Sequence, residues 1–416
     1  MATNTRPPAP PGLRLAFEVW AHWVSQRRTL RQGATALAIS TVVGLAAGIV
    51  LGAMEELLEQ LPGLLLLVPA AIGMRGAIFG ALAARLGTGI LTGQLQGFAR
   101  GGFGRDNVTA SILLTLFSSA LAAVAARAVA GALGLETISV WELMVVSVVG
   151  GVISSAVILV GVTTLTGTAQ RRGWDMDAIG APLVTTTGDI VTLPALAAAT
   201  LLLGVPWLPE VLGGILLAVA VVAVWRGVRA KAPLVRSIVR QSIAVLTYAA
   251  VVDILAGGVL ETRVEALVAS PALLVLIPPF IANCGSLGGI LSARLGSELH
   301  LGMLAPKVLP ERLAYLEGSM IALFGLLAFG GVGLIAHTSA LVFGFDSPGL
   351  AGMVGVALLG GALAFGLIFL VAYATASASF HFGWDPDNHG IPIVTATMDL
   401  LGVLCLVAAM VMLGVI

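Results

Sequence analysis

The chain has 416 residues, of which 58% are hydrophobic and only 10% are charged. Because soluble domains carry about a quarter charged residues, this composition excludes an ordinary water-soluble protein and indicates an integral membrane protein. The formal net charge is zero, so no basic excess points to a nucleic-acid partner, and two cysteines cannot form a disulfide scaffold.

The amino-terminal segment is predicted to lie outside the hydrocarbon core. Met1–Gly12 is rich in proline and is predicted to be disordered. Between Leu13 and Val24 apolar residues recur every three to four positions, and arginines follow before the end of the stretch Leu13–Arg31. This spacing predicts a short amphipathic helix that lies in the membrane interface.

Eleven apolar stretches follow, each near the length that crosses about 30 Å of hydrocarbon. They are Ala34–Met54, Leu64–Ala84, Val108–Gly131, Leu143–Leu165, Pro182–Leu203, Trp207–Trp225, Ile243–Leu260, Ala272–Ala293, Leu313–Ile335, Leu350–Ala374 and Pro392–Ile416. The fold class predicted is therefore an all-α integral membrane protein with about 11 spans.

The distribution of positive charge predicts how these spans are oriented. With the amino terminus in the cytoplasm, all but three of the 21 lysines and arginines lie on the cytoplasmic side, the exceptions being Arg75, Arg127 and Arg263. Cytoplasmic loops are enriched in Lys and Arg. We therefore predict a multi-pass protein of the cell membrane, with the amino terminus in the cytoplasm and the carboxyl terminus outside.

The chain contains an internal repeat. Gly173–Asp189 recurs as Gly383–Asp399, with 10 of 17 positions identical at an offset of 210. Earlier in the chain the offset is 209, as between Arg85–Thr88 and Arg294–Ser297. Such self-similarity is the sequence signature of transporter folds that are built from two related halves.

Four regions follow from the repeat. They are 1–33, a cytoplasmic tail and interfacial helix; 34–204, the first five-helix repeat; 205–239, a linking transmembrane helix and cytoplasmic linker; and 240–416, the second five-helix repeat. Five spans per repeat would invert the second copy, and the extra span restores a parallel arrangement. The halves are therefore predicted to be related by a pseudo-two-fold axis along the membrane normal. Because one chain holds both halves, we predict a monomer.

Two repeated aspartates are the strongest candidates for a functional site. Asp189 and Asp399 lie about eleven residues into their spans, near mid-bilayer, and each has a threonine four residues earlier, Thr185 and Thr395. A carboxylate at this depth is costly unless it has a partner. A hydrated divalent cation between the two acids would satisfy both, and Mg²⁺ retains its water readily. The alternative is a pair of protonated structural acids, or acids paired with arginine.

Further acids precede these helices. Asp175, Asp177, Asp385 and Asp387 lie at the predicted cytoplasmic entry of the two aspartate helices. Two interpretations remain open. The acids could cap the helix amino termini, or they could form a vestibule that gathers cations.

The second span of each repeat carries prolines and glycines, which predict an interrupted helix that lines a cavity. Asn283 in the later copy is a candidate pore-lining residue, because its amide oxygen can face a hydrated ion. Arg75 and Asp253 both fall near mid-bilayer, and we predict a structural ion pair between them.

These motifs resemble those of the MgtE-type magnesium channels and the related solute carrier family 41 magnesium transporters. The resemblance rests on the segments that end in Asp189 and Asp399, on Asp385–Asn388, and on Pro278–Gly285 with its Asn283. It implies five-helix domains paired about a pore, with the last-helix aspartates binding hydrated Mg²⁺. The fused duplication resembles the solute carrier branch more than the single-repeat channels.

The predicted function is therefore transport of divalent cations, with Mg²⁺ as the transported ion, through a pore between the repeats. Within transport, the alternatives are a Na⁺- or H⁺-coupled exchanger and a carrier of another divalent metal. From another class, surface Asp-x-Asp pairs could bind Mg²⁺-diphosphate substrates in a membrane enzyme. The mid-membrane aspartates favour transport, so we predict that the protein is not an enzyme. The expected partners are the divalent cation and the lipid bilayer.

Overall fold

A computed structural model describes residues 11–95, 102–172, 176–307, 309–383 and 390–416. These residues form helices joined by short loops, and the described ranges contain no β-strand. The helices are α1 (Pro11–Ser25), α2 (Arg27–Gly52), α3 (Glu55–Gln60), α4 (Leu64–Leu91), α5 (Phe103–Leu133), α6 (Val140–Arg172), α7 (Met176–Thr200), α8 (Leu208–Val228), α9 (Pro233–Glu261), α10 (Val264–Val268), α11 (Pro271–His300), α12 (Arg312–Phe343), α13 (Gly349–Phe382) and α14 (Ile391–Met412).

Eleven of the described helices are long and apolar enough to cross a membrane. They coincide with the eleven predicted spans and confirm the membrane class, whereas α1, α3 and α10 are the additional helices of the described chain. Several helices run beyond the predicted spans, because their ends are set by capping residues and not by hydropathy. Helices α5 and α12 both stop at a glycine in the left-handed conformation, Gly134 with φ of 68° and Gly344 with φ of 75°.

Helix α1, which precedes the membrane-spanning helices, packs against the start of α12. The indole Nε1 of Trp23 donates to Oγ of Ser319 at 3.1 Å, and Nε2 of His22 lies 3.1 Å from Oε1 of Glu317. The predicted amphipathic helix ends earlier than expected, at Ser25, and α2 begins at Arg27. Helix α1 is therefore attached to the second half of the chain.

The prediction of interrupted second spans is wrong. Helices α4 and α11 are continuous, with Pro69 inside α4 and with Pro278 and Pro279 inside α11. Each proline removes only one backbone hydrogen bond, and tight packing by neighbouring helices compensates for the loss in a membrane bundle. Both helices are among the most buried of the described structure.

The first spanning helix of each repeat packs on the opposite half of the chain. Helix α2 lies against α11 and α12, and α9 lies against α4 and α5. The contacts correspond at an offset of 209: a Cβ on Gly48 would collide with the carbonyl of Val275, and a Cβ on Gly257 would collide with the carbonyl of Leu66. Reciprocal contacts of this kind are those that a two-fold relation between the repeats predicts.

The aspartate helices complete the interface between the halves. Helix α7 packs on α4 and α6, and α14 packs on α9, α11 and α13. The linking helix α8 packs on α5 and α6 at the periphery, and its flanking Trp207 and Trp225 are exposed. The second aspartate of the repeat is thereby placed between α11 of its own half and α9, which also contacts the first half.

Candidate functional site

Asp399 lies on the face of α14 that is turned towards α11. A Cβ on Gly285 of α11 would lie 3.6 Å from Oδ1 of Asp399 and 3.7 Å from Cβ of Thr395. The missing side chain at Gly285 therefore leaves space beside both predicted site residues. Asp399 and Thr395 are partly exposed, and the Thr395 hydroxyl donates to the carbonyl of Pro392 at 3.1 Å.

A second acid meets Asp399 from a different helix. A Cβ on Gly73 of α4 would lie 2.7 Å from Oδ2 of Asp253 on α9 and 3.5 Å from Oδ2 of Asp399. The two carboxyl groups converge on one point of α4. Helices α4, α9, α11 and α14 together enclose this location.

Asp189, the repeat mate of Asp399, approaches the same location from α7. Asp189 is partly exposed. The neighbouring Gly188 lies against α4 and α6, where a Cβ would be 3.8 Å from Cβ of Arg75 and 3.6 Å from Cδ1 of Ile158. The side chain of Thr185 falls outside the described residues.

The predicted ion pair between Arg75 and Asp253 does not form. Among the described residues no ion pair involves either group. The Arg75 guanidinium turns away from the acids, donating from Nη2 to Oγ of Ser119 at 2.8 Å and from Nη1 to the carbonyl of Ala71 at 3.2 Å. Gly151 on α6 provides the space for it, because a Cβ there would collide with Nη2. Similar depth in the bilayer did not imply that the two side chains face each other.

Asn283 is fully buried, and its amide nitrogen is already used. Nδ2 donates to Oγ1 of Thr41 on α2 at 2.9 Å and to the carbonyl of Pro279 at 2.8 Å. Its Oδ1 is buried and has no hydrogen-bond partner among the described residues. Asn283 therefore ties α11 to α2, and it retains one unused acceptor for a water molecule or ion.

The acids do not form a compact cage for a bare metal ion. Within the described ranges, no three His, Cys, Asp or Glu side chains are grouped closely enough to ligate one ion together. Of the remaining predicted acids, Asp175, Asp385 and Asp387 lie outside the described residues, as does the side chain of Asp177.

The comparison with protein families bears directly on this arrangement. A family model described as MgtE, divalent cation transporter, matches the chain twice, over residues 68–199 and 277–409. The chain belongs to the MgtE family. The two matches are offset by about the length of the sequence repeat, and they contain Asp189 and Asp399 near their ends.

Individual relatives of this MgtE-family chain belong to the solute carrier family 41. Member 2 from mouse is 25% identical over 405 residues, covering 86% of this chain and 65% of the relative. Member 3 from rat is 24% identical over 402 residues, covering 90% of this chain and 85% of the relative. The chain thus spans about two thirds of the length of the member 2 proteins that it matches. No solved structure matches the chain.

The two MgtE matches cover only part of the site. They include most of α4, α7, α11 and α14, and with them Gly73, Asp189, Gly285 and Asp399. Helices α2 and α9 lie outside both matches. Asp253, which is on α9, is therefore outside them as well. Sequence reasoning identified Asp253 as a mid-membrane acid but assigned it the wrong neighbour. The available signal was asymmetry: the equivalent position in the first repeat, at an offset of 209, is Gly44.

Proposed function

We propose that this protein carries Mg²⁺ across the membrane between its two halves, with the hydrated ion held by Asp189 and Asp399. Family membership supports divalent cation transport as the general activity. The observation that carries the specific proposal is that the repeated acids approach the same stretch of α4. Asp399 lies beside Gly73, and Gly188, the neighbour of Asp189, lies against Arg75 two residues further on.

The chemistry of this location favours an ion that keeps part of its water. Carboxylate, hydroxyl and amide oxygens are the ligands of hard cations such as Mg²⁺. Since the described residues offer no three-ligand cage, the acids would act through the water shell of the ion. Gly285 leaves room for such a shell beside Asp399, and the Thr395 oxygen can still accept a hydrogen bond from it.

Asn283 fits the same proposal as a second-layer group. Because its amide nitrogen is held by Thr41 and Pro279, its orientation is set and the free Oδ1 is presented as an acceptor. In an ion path this oxygen would accept a hydrogen bond from the water shell and not replace it. We propose that Thr185 and the acids of the predicted vestibule line the same ion path. The amino terminus would lie in the cytoplasm, and a single chain would form the working transporter.

The test is Mg²⁺ flux into liposomes that contain the purified protein. Asp189→Asn and Asp399→Asn each keep the size of the side chain and remove one of the charges that hold the ion. We expect each variant to lose at least tenfold in Mg²⁺ affinity, which corresponds to about 1.4 kcal/mol. The double variant should be little worse than either single one, because the two acids act as one site.

The matched control is Asp346→Asn, which neutralises an exposed aspartate in the loop between α12 and α13. It should transport like the wild type. Wild-type flux and affinity in both Asp189→Asn and Asp399→Asn would refute the proposed site. An effect in only one of them would assign the path to one half of the chain.

A further inference from the structure

Asp253 is a deeply buried acid at the interface between the halves. Its exposed fraction is 1%, and its Oδ1 has no hydrogen-bond partner among the described residues. Its Oδ2 points at Gly73 on α4, beside the Oδ2 of Asp399. A buried carboxylate without a partner is costly in any protein and more so within a bilayer.

The described protein groups do not balance this charge. Arg75 leaves α4 two residues after Gly73, yet its guanidinium is bound to Ser119 and to the Ala71 carbonyl on the other side of the helix. The nearest charged group that the structure places beside Asp253 is another acid, Asp399. Two carboxylates that share one site do not both stay charged unless a cation lies between them. In a cation transporter, the transported ion can take this place.

We propose that Asp253 is a third acid of the cation site, so that one hydrated divalent ion is held through its water shell among Asp189, Asp253 and Asp399. The inference rests on the proposed function and extends it to a helix that neither match of the MgtE model includes. The formal charges are consistent with it: the Arg75 guanidinium is turned away, so three carboxylates face this location, and one divalent ion would offset most of their charge.

The packing explains why only the second repeat supplies this acid. At the equivalent position of the first repeat, a Cβ on Gly44 would lie 2.7 Å from Cα of Pro279, so no side chain fits there. Asp253 instead meets Gly73, whose equivalent in the second repeat is Ala282. The space for the third carboxylate therefore exists on one side of the interface alone, and the site has two acids from the second half and one from the first.

The decisive variant is Asp253→Asn in the full chain, tested by Mg²⁺ binding as well as by flux. A cation that binds the folded state raises the unfolding temperature in a concentration-dependent manner, which gives a binding readout without transport. We expect Asp253→Asn to raise the Mg²⁺ concentration for half-maximal stabilisation, and that for half-maximal flux, by at least tenfold. Gly73→Ala should shift both in the same direction, because its methyl group displaces the Asp253 carboxylate.

Glu261→Gln is the matched control. It neutralises another buried acid of α9, two turns further on, where Oε1 accepts the Gly63 amide at 2.7 Å. The Mg²⁺ dependence of this variant should equal that of the wild type.

A wild-type Mg²⁺ dependence in Asp253→Asn would overturn the inference, even if that variant were less stable, because the role of the acid would then be structural only. The same result in Gly73→Ala would contradict the placement of the carboxylate against α4. If Asp399→Asn weakens Mg²⁺ binding and Asp253→Asn does not, the assignment of Asp253 to the site is wrong and the proposed function stands. If Asp189→Asn, Asp253→Asn and Asp399→Asn all keep wild-type Mg²⁺ dependence, the proposed function itself is wrong.

Discussion

Arg75 donates a hydrogen bond of 2.8 Å from Nη2 to Oγ of Ser119, and this bond joins α4 to α5 inside the first half of the protein. Both residues are buried, with exposed fractions of 2% and 0%. The bond directs the one buried guanidinium of the described chain away from the three acids and keeps it from neutralising them.

Removing this hydrogen bond should destabilise the protein. Ser119→Ala leaves Nη2 of Arg75 without its side-chain partner, and a charged donor that loses its acceptor in a buried site costs about 1–3 kcal/mol. The control is Ser111→Ala on the same helix, because the buried Ser111 hydroxyl has no partner among the described residues. Thermal unfolding in detergent should show a lower midpoint for Ser119→Ala and an unchanged or higher midpoint for Ser111→Ala. Equal midpoints would indicate that the Arg75 bond contributes nothing to stability.

The close helix contacts between the halves should tolerate no added methyl group. Gly48→Ala and Gly257→Ala each place a Cβ against a backbone carbonyl of the opposite half, which cannot move as a side chain can. Overpacking of this kind costs about 1–3 kcal/mol, so both variants should unfold at lower temperature. Gly161→Ala on α6, where a Cβ meets no atom within 4 Å, should be neutral or gain up to about 1 kcal/mol. A lower unfolding temperature for only one of Gly48→Ala and Gly257→Ala would show that the two contacts are not equivalent.

The predicted orientation can be tested by cysteine labelling in whole cells. Both native cysteines, Cys284 and Cys405, are buried, so the background should be low. Glu136 and Lys231 are exposed and lie in loops at opposite ends of the bundle. A membrane-impermeant maleimide should label Glu136→Cys from outside and should reach Lys231→Cys only after permeabilisation. The reverse pattern would place the amino terminus outside and would contradict the prediction from the positive-inside rule.

Much of the architecture was predictable because hydropathy and repetition are properties of the chain alone. The eleven spans follow from the lengths of the apolar stretches, and the equivalence of Asp189 and Asp399 follows from the repeated segment. The bounds were less accurate: α13 runs on to Phe382, eight residues past the predicted end of its span, because the left-handed Gly383 ends it. Hydropathy does not report capping.

Which neighbouring helix a side chain faces was harder to predict than its depth in the bilayer. Arg75 and Asp253 have similar depths, but the pairing of α4 with α9 turns Gly73 towards Asp253 and leaves Arg75 facing Ser119. That pairing arises because α2 and α9 each pack on the opposite half of the chain. No local sequence pattern predicts such long-range packing. The continuity of α4 and α11 was missed for a related reason, since the cost of a proline depends on the helices that surround it.

The packing of α2 and α9 on the opposite halves of the chain also constrains how the protein folds during synthesis. Helix α2 leaves the ribosome early, but the carbonyl of Val275, against which its Gly48 packs, is synthesised more than two hundred residues later. At about 5–20 residues per second, α2 waits roughly 10–50 s in the bilayer before its partner exists. During that interval lipid or the insertion machinery must cover its glycine face, so neither half can finish folding until nearly the whole chain has been inserted.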